Sequence, residues 1–425
     1  MTSTDMRTID ARRKVRDEEA RAILQRNDKG AYTIPTSGLY PYQWNWDSAF
    51  AAIGFAEFDL DRAWRELETL MSGQWENGMV PHILFHVPDD GYFPNHDVWQ
   101  GTGPIPSSGI SQPPVAATMA RMVLAKDPDF GAARMAGIYD GLVRWHRWFM
   151  DWRLDRGAVC ITHPWEAGRD NAPDWDAAMA AITPEGVGEY TRRDTTHVDG
   201  SMRPTKYDYD RYIWLVQRGA RLGWDEAAML ENTPFRVADP TMTFTLLRAT
   251  RDLAALGRDM GRDVSELEQW IETLEAGAQT LWNPDIGCFD GRDAVGGTWA
   301  NAVTNASFLC WYAGIDHPDM RTRLDEVMAQ AKYGVPSLTL TDPRFDGKRY
   351  WRGPVWGVMN MMIGTGLTEM GLPQGEVVRR TTADLIADHG FAEYFDPRDG
   401  APAGGSSFTW TAAIWLGWAH KTEGA

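Results

Sequence analysis

Cysteine is scarce in this sequence, with three residues in 425, at positions 160, 288 and 310. The count is odd and no Cys-x-x-Cys pair occurs, which argues against a disulfide framework and against a structural zinc site. No stretch approaches the roughly 18 apolar residues of a membrane-spanning helix. The first 28 residues alternate in charge and lack the apolar segment of a secretory signal. We therefore expect a soluble, cytoplasmic protein without a membrane partner.

Positive charge is also in deficit. Lys and Arg total 42 against 59 for Asp and Glu, so the formal net charge is −17. A field of this sign repels phosphate backbones, which disfavours nucleic-acid partners. Trp, by contrast, is abundant, with 21 residues. Because an indole offers a flat apolar face to sugar C–H groups and an N–H donor to hydroxyls, this composition favours a carbohydrate ligand.

Apolar residues recur with a helical period along most of the chain, and the alternation typical of strands is rare. Asp127-Pro128, for example, combines a capping residue with a proline in the first turn, which is typical of a helix start. The pattern predicts about a dozen helices. They fall at 48–57, 60–72, 113–125, 128–149, 206–222, 240–257, 262–282, 299–313, 318–330, 354–370, 374–389 and 408–418.

Two regions, 73–112 and 183–206, break this rhythm with clusters of Gly and Pro. Irregular segments of this length are often lids or binding loops. Neither region is of low complexity, and no shift in composition divides the chain. The sequence therefore predicts one mainly α domain over residues 1–425, with two long loops that form a lid over the active site.

Aromatic and acidic side chains gather in four clusters, and the first is Tyr40-Pro-Tyr-Gln-Trp-Asn-Trp-Asp47, just before a predicted helix. In one interpretation, Asp47 accepts hydrogen bonds from sugar hydroxyls while Trp46 stacks on the ring. In the alternative, Asp47 or Ser48 caps the helix and the tryptophans belong to the core.

The second cluster, His163 to Asp176, places Glu166, Asp170, Asp174 and the terminal Asp within eleven residues. Crowded carboxylates raise one another's pKa, and a carboxylic acid that stays protonated near neutral pH can act as a general acid. The alternative is a solvent-exposed acidic helix start that complements the helix dipole. Two interleaved tryptophans argue against a fully solvated face.

The third cluster is Tyr350-Trp-Arg-Gly-Pro-Val-Trp356, in which Arg352 suits either stacking and polar clamping or a packed loop. The fourth combines Phe391-Ala-Glu-Tyr-Phe-Asp-Pro397 with Ser406-Ser-Phe-Thr-Trp410. Glu393 follows a predicted helix on an extended or looped segment, from which a carboxylate can point into a cavity. Two separated acidic clusters flanked by aromatic residues suggest the acid and base of a glycosidase.

Other polar groups receive plainer interpretations. His82 and His86 have the spacing of metal ligands, with His96 and Asp97 nearby, but the Glu of His-Glu-x-x-His is missing. We therefore expect neither a metal nor another cofactor. Arg192-Arg-Asp is interpreted as solvated charge.

Three motifs in this order resemble glycoside hydrolase family 63 and its trehalase relatives. They are Trp-Glu-Ala-Gly-Arg-Asp, Tyr-Trp-Arg-Gly-Pro-Val-Trp, and Glu-Tyr-Phe-Asp-Pro followed by Gly-Gly-x-x-Phe-Thr-Trp-Thr-Ala, within residues 36–420. The first cluster, the Ser111-Gln-Pro-Pro turn and the His-Val-Asp-Gly-Ser-Met-Arg-Pro-Thr loop further resemble bacterial mannosylglycerate and glucosylglycerate hydrolases. The resemblance implies an inverting hydrolase on an (α/α)6 barrel, a toroid of six helical hairpins.

Carried onto this sequence, the resemblance makes Asp170 the general acid and Glu393 the general base that activates water. An inverting pair must leave room for that water, so the two carboxyl groups should lie about 6.5–9.5 Å apart. Loss of either group should nearly abolish turnover and leave the fold intact. The remaining candidates bind substrate: Trp46, Asp47 and Trp165 around the sugar, Tyr40, Tyr92, Gln112 and Arg211 around glycerate, and Trp351, Arg352, Trp356 and Trp410 from the third and fourth clusters. Among them, Arg211 is the expected partner of the glycerate carboxylate.

The expected substrate is a small, anionic glycoside such as glucosylglycerate or mannosylglycerate, cleaved to sugar plus glycerate. The choice between glucose and mannose, the identity of the aglycone, and the oligomeric state, including a homo-oligomer, stay open. So do three alternatives: a trehalase-like α-glucosidase for a different small glucoside, a sugar epimerase, and a non-catalytic carbohydrate-binding protein. Epimerases on helical toroids rely on histidine pairs, whereas the candidate positions here carry Asp and Glu.

Overall fold

Several helices begin at a residue whose side chain satisfies a free backbone N–H group of the first turn. A computed structural model describes residues 3–420, with side chains from residue 13 onward. Asp127 accepts a hydrogen bond from the N–H of Phe130, and the proline after it supplies the helical φ angle. Asp239 accepts in the same way from the N–H of Met242. The predicted helix start at Asp127-Pro128 is confirmed.

The α-helices are numbered in chain order. They are α1 (Ser3–Asn27), α2 (Asn45–Phe55), α3 (Leu60–Ser72), α4 (His96–Trp99), α5 (Ala116–Leu124), α6 (Pro128–Trp152), α7 (Asp176–Ala180), α8 (Asp194–His197), α9 (Lys206–Arg221), α10 (Glu226–Asn232), α11 (Pro240–Asp259), α12 (Ser265–Gln279), α13 (Pro318–Met328), α14 (Gly357–Glu369), α15 (Gln374–His389) and α16 (Thr409–Ile414). Helix α16 continues into a π-helical turn, Trp415–Ala419. Short 3-10 turns lie at Pro164–Ala167, Pro173–Trp175, Gly200–Met202 and Ser307–Cys310.

The strands are short and all pair antiparallel. They are β1 (Gln43–Trp44), β2 (Ile83–Leu84), β3 (Leu154–Asp155), β4 (Ala158–Ile161), β5 (Val237–Ala238), β6 (Trp282–Asn283), β7 (Cys288–Phe289), β8 (Arg292–Asp293), β9 (Tyr394–Phe395) and β10 (Pro402–Ala403). The largest sheet has the order β3-β4-β5-β8. Within it, Ile161 pairs with Val237, so the segment that follows β4 lies close to the start of α11.

Six segments form a closed inner ring in which each packs against the next. They are α2, α5, α11, the 3-10 turn Ser307–Cys310, α14 and α16, which returns to α2. An outer layer covers this ring: α3 packs on α2, α6 on α5 and α11, α12 on α11, α15 on α14, and α1 on α16. Near the 3-10 turn the outer layer holds α13, which packs on β7. This is the (α/α)6 toroid that the resemblance implies.

The inner helices are apolar on all sides because they are enclosed on all sides. Every residue of α2 is buried, and one continuous cluster of apolar side chains extends from Ala20 to Ala419. Ten tryptophans are fully buried, so Trp contributes heavily to the core. Among residues 3–420, no helix combines the length and the apolar composition that crossing a bilayer requires.

The helix predicted over 299–313 is wrong, since most of this segment is irregular and only Ser307–Cys310 forms a 3-10 turn. Its first N–H groups are bound outside the segment. The N–H of Ala300 donates to the carbonyl of Gly291, and that of Asn301 donates to the carboxylate of Asp290. These long-range bonds replace the local bonds that a helix would need.

Candidate active site

A cavity of about 100 Å³ lies where the inner helices α2, α5 and α16 begin, and residues at the start of α9 border it as well. Such a space holds roughly seven to ten water-sized spheres, which is the scale of a small ligand. It brings together nine of the thirteen predicted site residues. They are Tyr40, Trp46, Asp47, Tyr92, Gln112, Trp165, Asp170, Glu393 and Trp410.

Asp170 enters this cavity from the irregular segment between β4 and α7. Gly168, two residues earlier, has a φ of 66°, which only glycine adopts without strain. A side chain there would also collide with the indole of Trp46, 2.6 Å from the added Cβ atom. The carbonyl of Asp170 accepts hydrogen bonds from the hydroxyl of Tyr212 (2.9 Å) and the indole N–H of Trp175 (3.2 Å). The backbone that carries Asp170 is therefore held on both sides.

The Asp170 carboxyl group has the electrostatics of an acid. Burial raises its pKa to about 7, the negative charges of Glu393 and Asp194 add to the rise, and the nearby Arg203 opposes it. A carboxyl group with this pKa keeps its proton in a large fraction of molecules at neutral pH. It can therefore donate a proton to a leaving group.

The other carboxylates of the second cluster do not line the cavity, and each binds an arginine. The pairs are Glu166 with Arg153, Asp174 with Arg169, and Asp176 with Arg352. Burial, and not the neighbouring carboxylates of this cluster, is the main cause of the raised pKa of Asp170. The alternative of a solvated acidic helix start is wrong, since Glu166 and Asp174 are buried.

Glu393 lies just before β9 and receives four hydrogen bonds. Its Oε1 atom accepts from the hydroxyls of Tyr40 (3.0 Å) and Tyr350 (3.1 Å). Its Oε2 atom accepts from Nη2 of Arg203 (3.0 Å) and the backbone N–H of Gly405 (2.8 Å). A carboxylate has about four acceptor sites, so these donors fill them and determine its orientation. The guanidinium of Arg203 also compensates its buried negative charge.

Asp47 is the third carboxyl group that lines the cavity, and it is buried within the first turn of α2. Burial raises its pKa well above the usual range, and the negative charges of Glu393 and Asp170 add to this. The alternative role as a helix cap is wrong, because α2 begins at Asn45 and Asp47 lies inside the helix.

Aromatic rings form much of the wall. The tryptophans that line the cavity are Trp44, Trp46, Trp165 and Trp410. The ring of Trp165 lies nearly parallel to that of His82, at 6.2 Å between centroids and an angle of 19°. The indole N–H of Trp410 donates to the carbonyl of Glu393 (3.2 Å). Fixed indole faces beside acidic groups suit a sugar ring, which is apolar on its faces and polar at its edge.

The two long loops cover the cavity and bind each other, as the prediction of a lid requires. Lining residues from these loops include Tyr92, Phe93, Arg193, Asp194 and Arg203. Arg193 of the second loop makes two hydrogen bonds to the carboxylate of Asp89 in the first (2.8 and 2.5 Å). The ring of Phe93 stacks on that of Tyr190, with centroids 4.6 Å apart. These contacts join the loops over the site.

Arg211 does not line the cavity. Its guanidinium donates to the carbonyl of Ile182 (3.1 Å) and lies over the ring of Tyr207, 4.4 Å from the centroid. The face of α9 toward the site carries Tyr209 and Tyr212, and Arg211 lies about 200° around the helix from the first of these. Its predicted contact with the glycerate carboxylate is therefore corrected, because helix geometry points its side chain elsewhere.

Three predicted residues of the third cluster also lie outside the cavity. Trp351 and Trp356 are fully buried and stack on each other, with centroids 3.7 Å apart and rings at 1°. The ring of Trp351 contacts that of Trp46, so this stack supports the wall from behind. Arg352 binds Asp176 instead of reaching the cavity (3.0 Å).

Sequence reasoning missed Arg203 and Tyr350, which hold Glu393, and Asp194, which lines the cavity. The interpretation of Arg192-Arg-Asp as solvated charge is wrong. Arg192 is buried and makes two hydrogen bonds to the carboxylate of Asp194 (3.0 and 2.6 Å). A usable signal was present, because Arg203 and Tyr350 belong to motifs already singled out and the Arg-Arg-Asp run lies within an irregular loop.

The histidines of the first loop are engaged in hydrogen bonds. Nδ1 of His82 is 3.1 Å from the hydroxyl of Ser108, and Nε2 of His86 is 2.7 Å from the side-chain oxygen of Gln43. Burial lowers the pKa of His86 to about 4, so its ring is neutral at physiological pH. Within residues 13–420, His, Cys, Asp and Glu side chains form no group of three or more suited to a metal ion.

Over nearly the whole chain, the comparisons with known proteins find hydrolases of mannosylglycerate or glucosylglycerate. The family model of the mannosylglycerate hydrolase MGH1-like glycoside hydrolase domain matches residues 40–411. Mannosylglycerate hydrolase MGH1 of Selaginella moellendorffii is 42% identical over 417 residues, which cover 95% of this chain and 86% of that protein. A mannosylglycerate hydrolase of Thermus thermophilus is 41% identical, with 93% and 98% covered. A glucosylglycerate hydrolase of Mycolicibacterium hassiacum is 34% identical, with 93% and 96% covered.

A solved structure agrees with these relatives. The crystal structure of a GH63 mannosylglycerate hydrolase from Thermus thermophilus, in complex with Tris and D-glycerate, superimposes with a TM-score of 0.91 at 40% identity. The match covers 95% of this chain and 99% of that one.

Proposed function

Because the chain belongs to the mannosylglycerate hydrolase MGH1-like family of glycoside hydrolases, we propose that it hydrolyses a glycoside of glycerate, mannosylglycerate or glucosylglycerate, with inversion at the anomeric carbon. The observation that carries the mechanism is that Asp170 and Glu393 line one cavity under different electrostatic conditions. Asp170 is a partly exposed residue whose carboxyl group has a pKa raised by desolvation, whereas Glu393 is fully buried and paired with a guanidinium. Two carboxyl groups that differ in this way suit the roles of acid and base.

Asp170 is the proposed general acid. Its proton passes to the glycosidic oxygen as the bond to the anomeric carbon breaks, so glycerate leaves as a neutral alcohol at that position. Donation of this kind typically accelerates a reaction by about 10²–10⁴-fold. The raised pKa supports the assignment, because the acid form must be present at the pH of catalysis.

Glu393 is the proposed general base, which takes a proton from the water that attacks the opposite face of the sugar. The water must reach a carboxylate oxygen that already has donors. Oε1 is the better candidate, since its two donors are neutral phenols, whereas Oε2 is bound to the guanidinium of Arg203. Exchanging a neutral donor for water costs less than separating a charged pair.

The walls of the cavity suit the two halves of the substrate. Trp46, Trp165 and Asp47 offer apolar faces and a carboxyl group to the sugar. The arginines that line the cavity are Arg193, which is bound to Asp89, and Arg203, whose Nε has no hydrogen-bond partner among the described residues. We therefore assign the attraction of an anionic aglycone chiefly to Arg203.

Incubation with α-mannosylglycerate, α-glucosylglycerate and trehalose, followed by proton NMR from the first minute, tests this function. We expect release of glycerate from one or both glycerate glycosides, with the β-anomer of the sugar appearing first. Glu393→Gln should abolish release while its circular dichroism spectrum stays that of the native protein. Initial release of the α-anomer would contradict inversion, an isomerised sugar would indicate an epimerase, and no reaction of either glycerate glycoside would contradict the proposal.

A further inference from the structure

Arg169, the residue just before the proposed acid, is fully buried and bound by two carboxylates. Its Nη1 and Nη2 atoms donate to both oxygens of Asp174 (3.1 and 2.9 Å), and Nη2 also donates to Asp239 (2.7 Å). None of these three side chains lines the cavity, whereas the adjoining Asp170 does. Of these two consecutive residues, Arg169 is bound inside the protein and Asp170 lines the cavity.

The two carboxylates that bind Arg169 belong to different parts of the fold. Asp239 caps the inner helix α11, since its second oxygen accepts from the N–H of Met242 (3.0 Å). Its own N–H donates to the carbonyl of Val159 in β4. Asp174 lies in the 3-10 turn Pro173–Trp175, whose last indole N–H donates to the carbonyl of Asp170. The segment that carries the acid is therefore tied both to the inner ring and to itself.

Burying the charges of this ion-pair cluster carries a large desolvation penalty, which offsets much of what it adds to the stability of the fold. Burial raises the pKa of Asp239, and the positive charge of Arg169 acts in the opposite direction. Replacing a buried ion pair by well-packed apolar side chains is often neutral or stabilising, so such a pair is weak evidence for a purely stabilising role. A guanidinium with two hydrogen bonds to one carboxylate and one to another does, however, restrict orientation strongly.

We propose that Arg169, Asp174 and Asp239 form a positioning unit that holds the carboxyl group of Asp170 at the distance and angle needed for proton transfer. This inference rests on the proposed role of Asp170 as general acid. It predicts a defect largely confined to leaving groups that need a proton, because the base Glu393 and the wall residues Trp46 and Trp410 belong to other segments, and only Trp165 shares the segment of the acid.

The test compares the natural glycoside with the α-glycosyl fluoride of the same sugar, since fluoride departs as an anion without protonation. The variants are Asp239→Asn, which keeps the shape and removes the charge, and Arg169→Lys, which keeps the charge and loses the planar fork. We expect kcat on the glycerate glycoside to fall roughly 100-fold, as for a displacement of about 1 Å, with a smaller change in KM. The loss on the fluoride should be at least about tenfold smaller.

Asp252→Asn is the matched control, because Asp252 is a buried carboxylate in the second half of α11 that also binds two arginines, Arg121 and Arg248. This variant should lower thermal stability, but its change in kcat should be the same on the glycerate glycoside and on the fluoride. Asp170→Asn is the reference for a missing acid, and equal losses on both substrates in that variant would contradict the proposed function itself. Suppose that Asp170→Asn loses more activity on the glycerate glycoside than on the fluoride. If Asp239→Asn and Arg169→Lys then lose equal activity on both substrates, or lose none on either, the positioning role is refuted. Should one variant fail to fold, the other decides.

Discussion

The raised pKa of Asp170 predicts a loss of activity in alkaline solution that one substitution should explain. Burial, with the charges of Glu393 and Asp194, raises this pKa to about 7. Only the protonated acid can donate to the glycosidic oxygen, so the protonation of Asp170 should not limit kcat/KM below pH 7. Above pH 7, kcat/KM should fall by a factor of about ten for each pH unit, which leaves about a tenth of its plateau value at pH 8.

The same shift predicts a stability effect with a definite sign. An unfolded Asp titrates near 3.8, while Asp170 in the folded protein titrates near 7. Between these values the unfolded chain binds fewer protons than the folded one, so the free energy of unfolding falls as pH rises and levels off above pH 7. A shift of about three units corresponds to about 4 kcal/mol over the whole range. Asn at this position carries no charge, so Asp170→Asn should escape this loss.

Urea unfolding of the wild type and Asp170→Asn at pH 5 and pH 8.5 measures the effect. The stability of the variant relative to the wild type should increase by about 3 kcal/mol between the two pH values, while its turnover of the glycerate glycoside is nearly abolished. A relative stability that does not change with pH would refute the reasoning. So would a wild-type kcat/KM that stays level up to pH 9.

Other predictions concern the arginines and the glycine near the acid. Arg203→Met leaves the carboxylate of Glu393 buried without its cation, so it should lower the free energy of unfolding by about 3–5 kcal/mol and abolish turnover, as measured by urea unfolding and steady-state kinetics. Arg211→Met, by contrast, should leave KM for the glycerate glycoside unchanged. A large increase in KM would indicate that Arg211 does contact glycerate. Gly168→Ala places a Cβ atom 2.6 Å from the indole of Trp46 at a φ of 66°, so thermal unfolding should show a loss of about 1–3 kcal/mol, and kcat should fall. Unaltered stability would show that the turn accommodates a side chain.

Local signals predicted the helical architecture well where they act within one element. The capping Asp127 and the proline after it depend on neighbours within a single turn, and that helix starts as expected. The segment 299–313 has a helical pattern but makes its first backbone bonds to Gly291 and Asp290. Such competing partners are distant from the turn they replace, so periodicity cannot reveal them.

In the candidate site, too, local motifs located some residues, whereas others could be identified only from the tertiary packing. Motif resemblance located Asp170 and Glu393 and most of the aromatic wall, because these residues are adjacent within short segments. It also indicated Arg211 as a partner of glycerate, but Arg211 does not line the cavity, since the direction of a side chain around a helix and its final partner depend on packing. Arg203, which binds Glu393 across a separation of 190 residues, appears only when the loops are folded over the cavity.

Composition, helical period and three ordered motifs were sufficient to predict the mainly α class and the family, and to propose the two carboxylates of the mechanism. The tertiary structure alone decided which side chains surround those carboxylates, and therefore why one is placed to hold a proton while the other is paired with a cation. The physical reason is that burial and Coulomb interactions act through space between segments far apart in the chain, whereas propensity and motif spacing act along it.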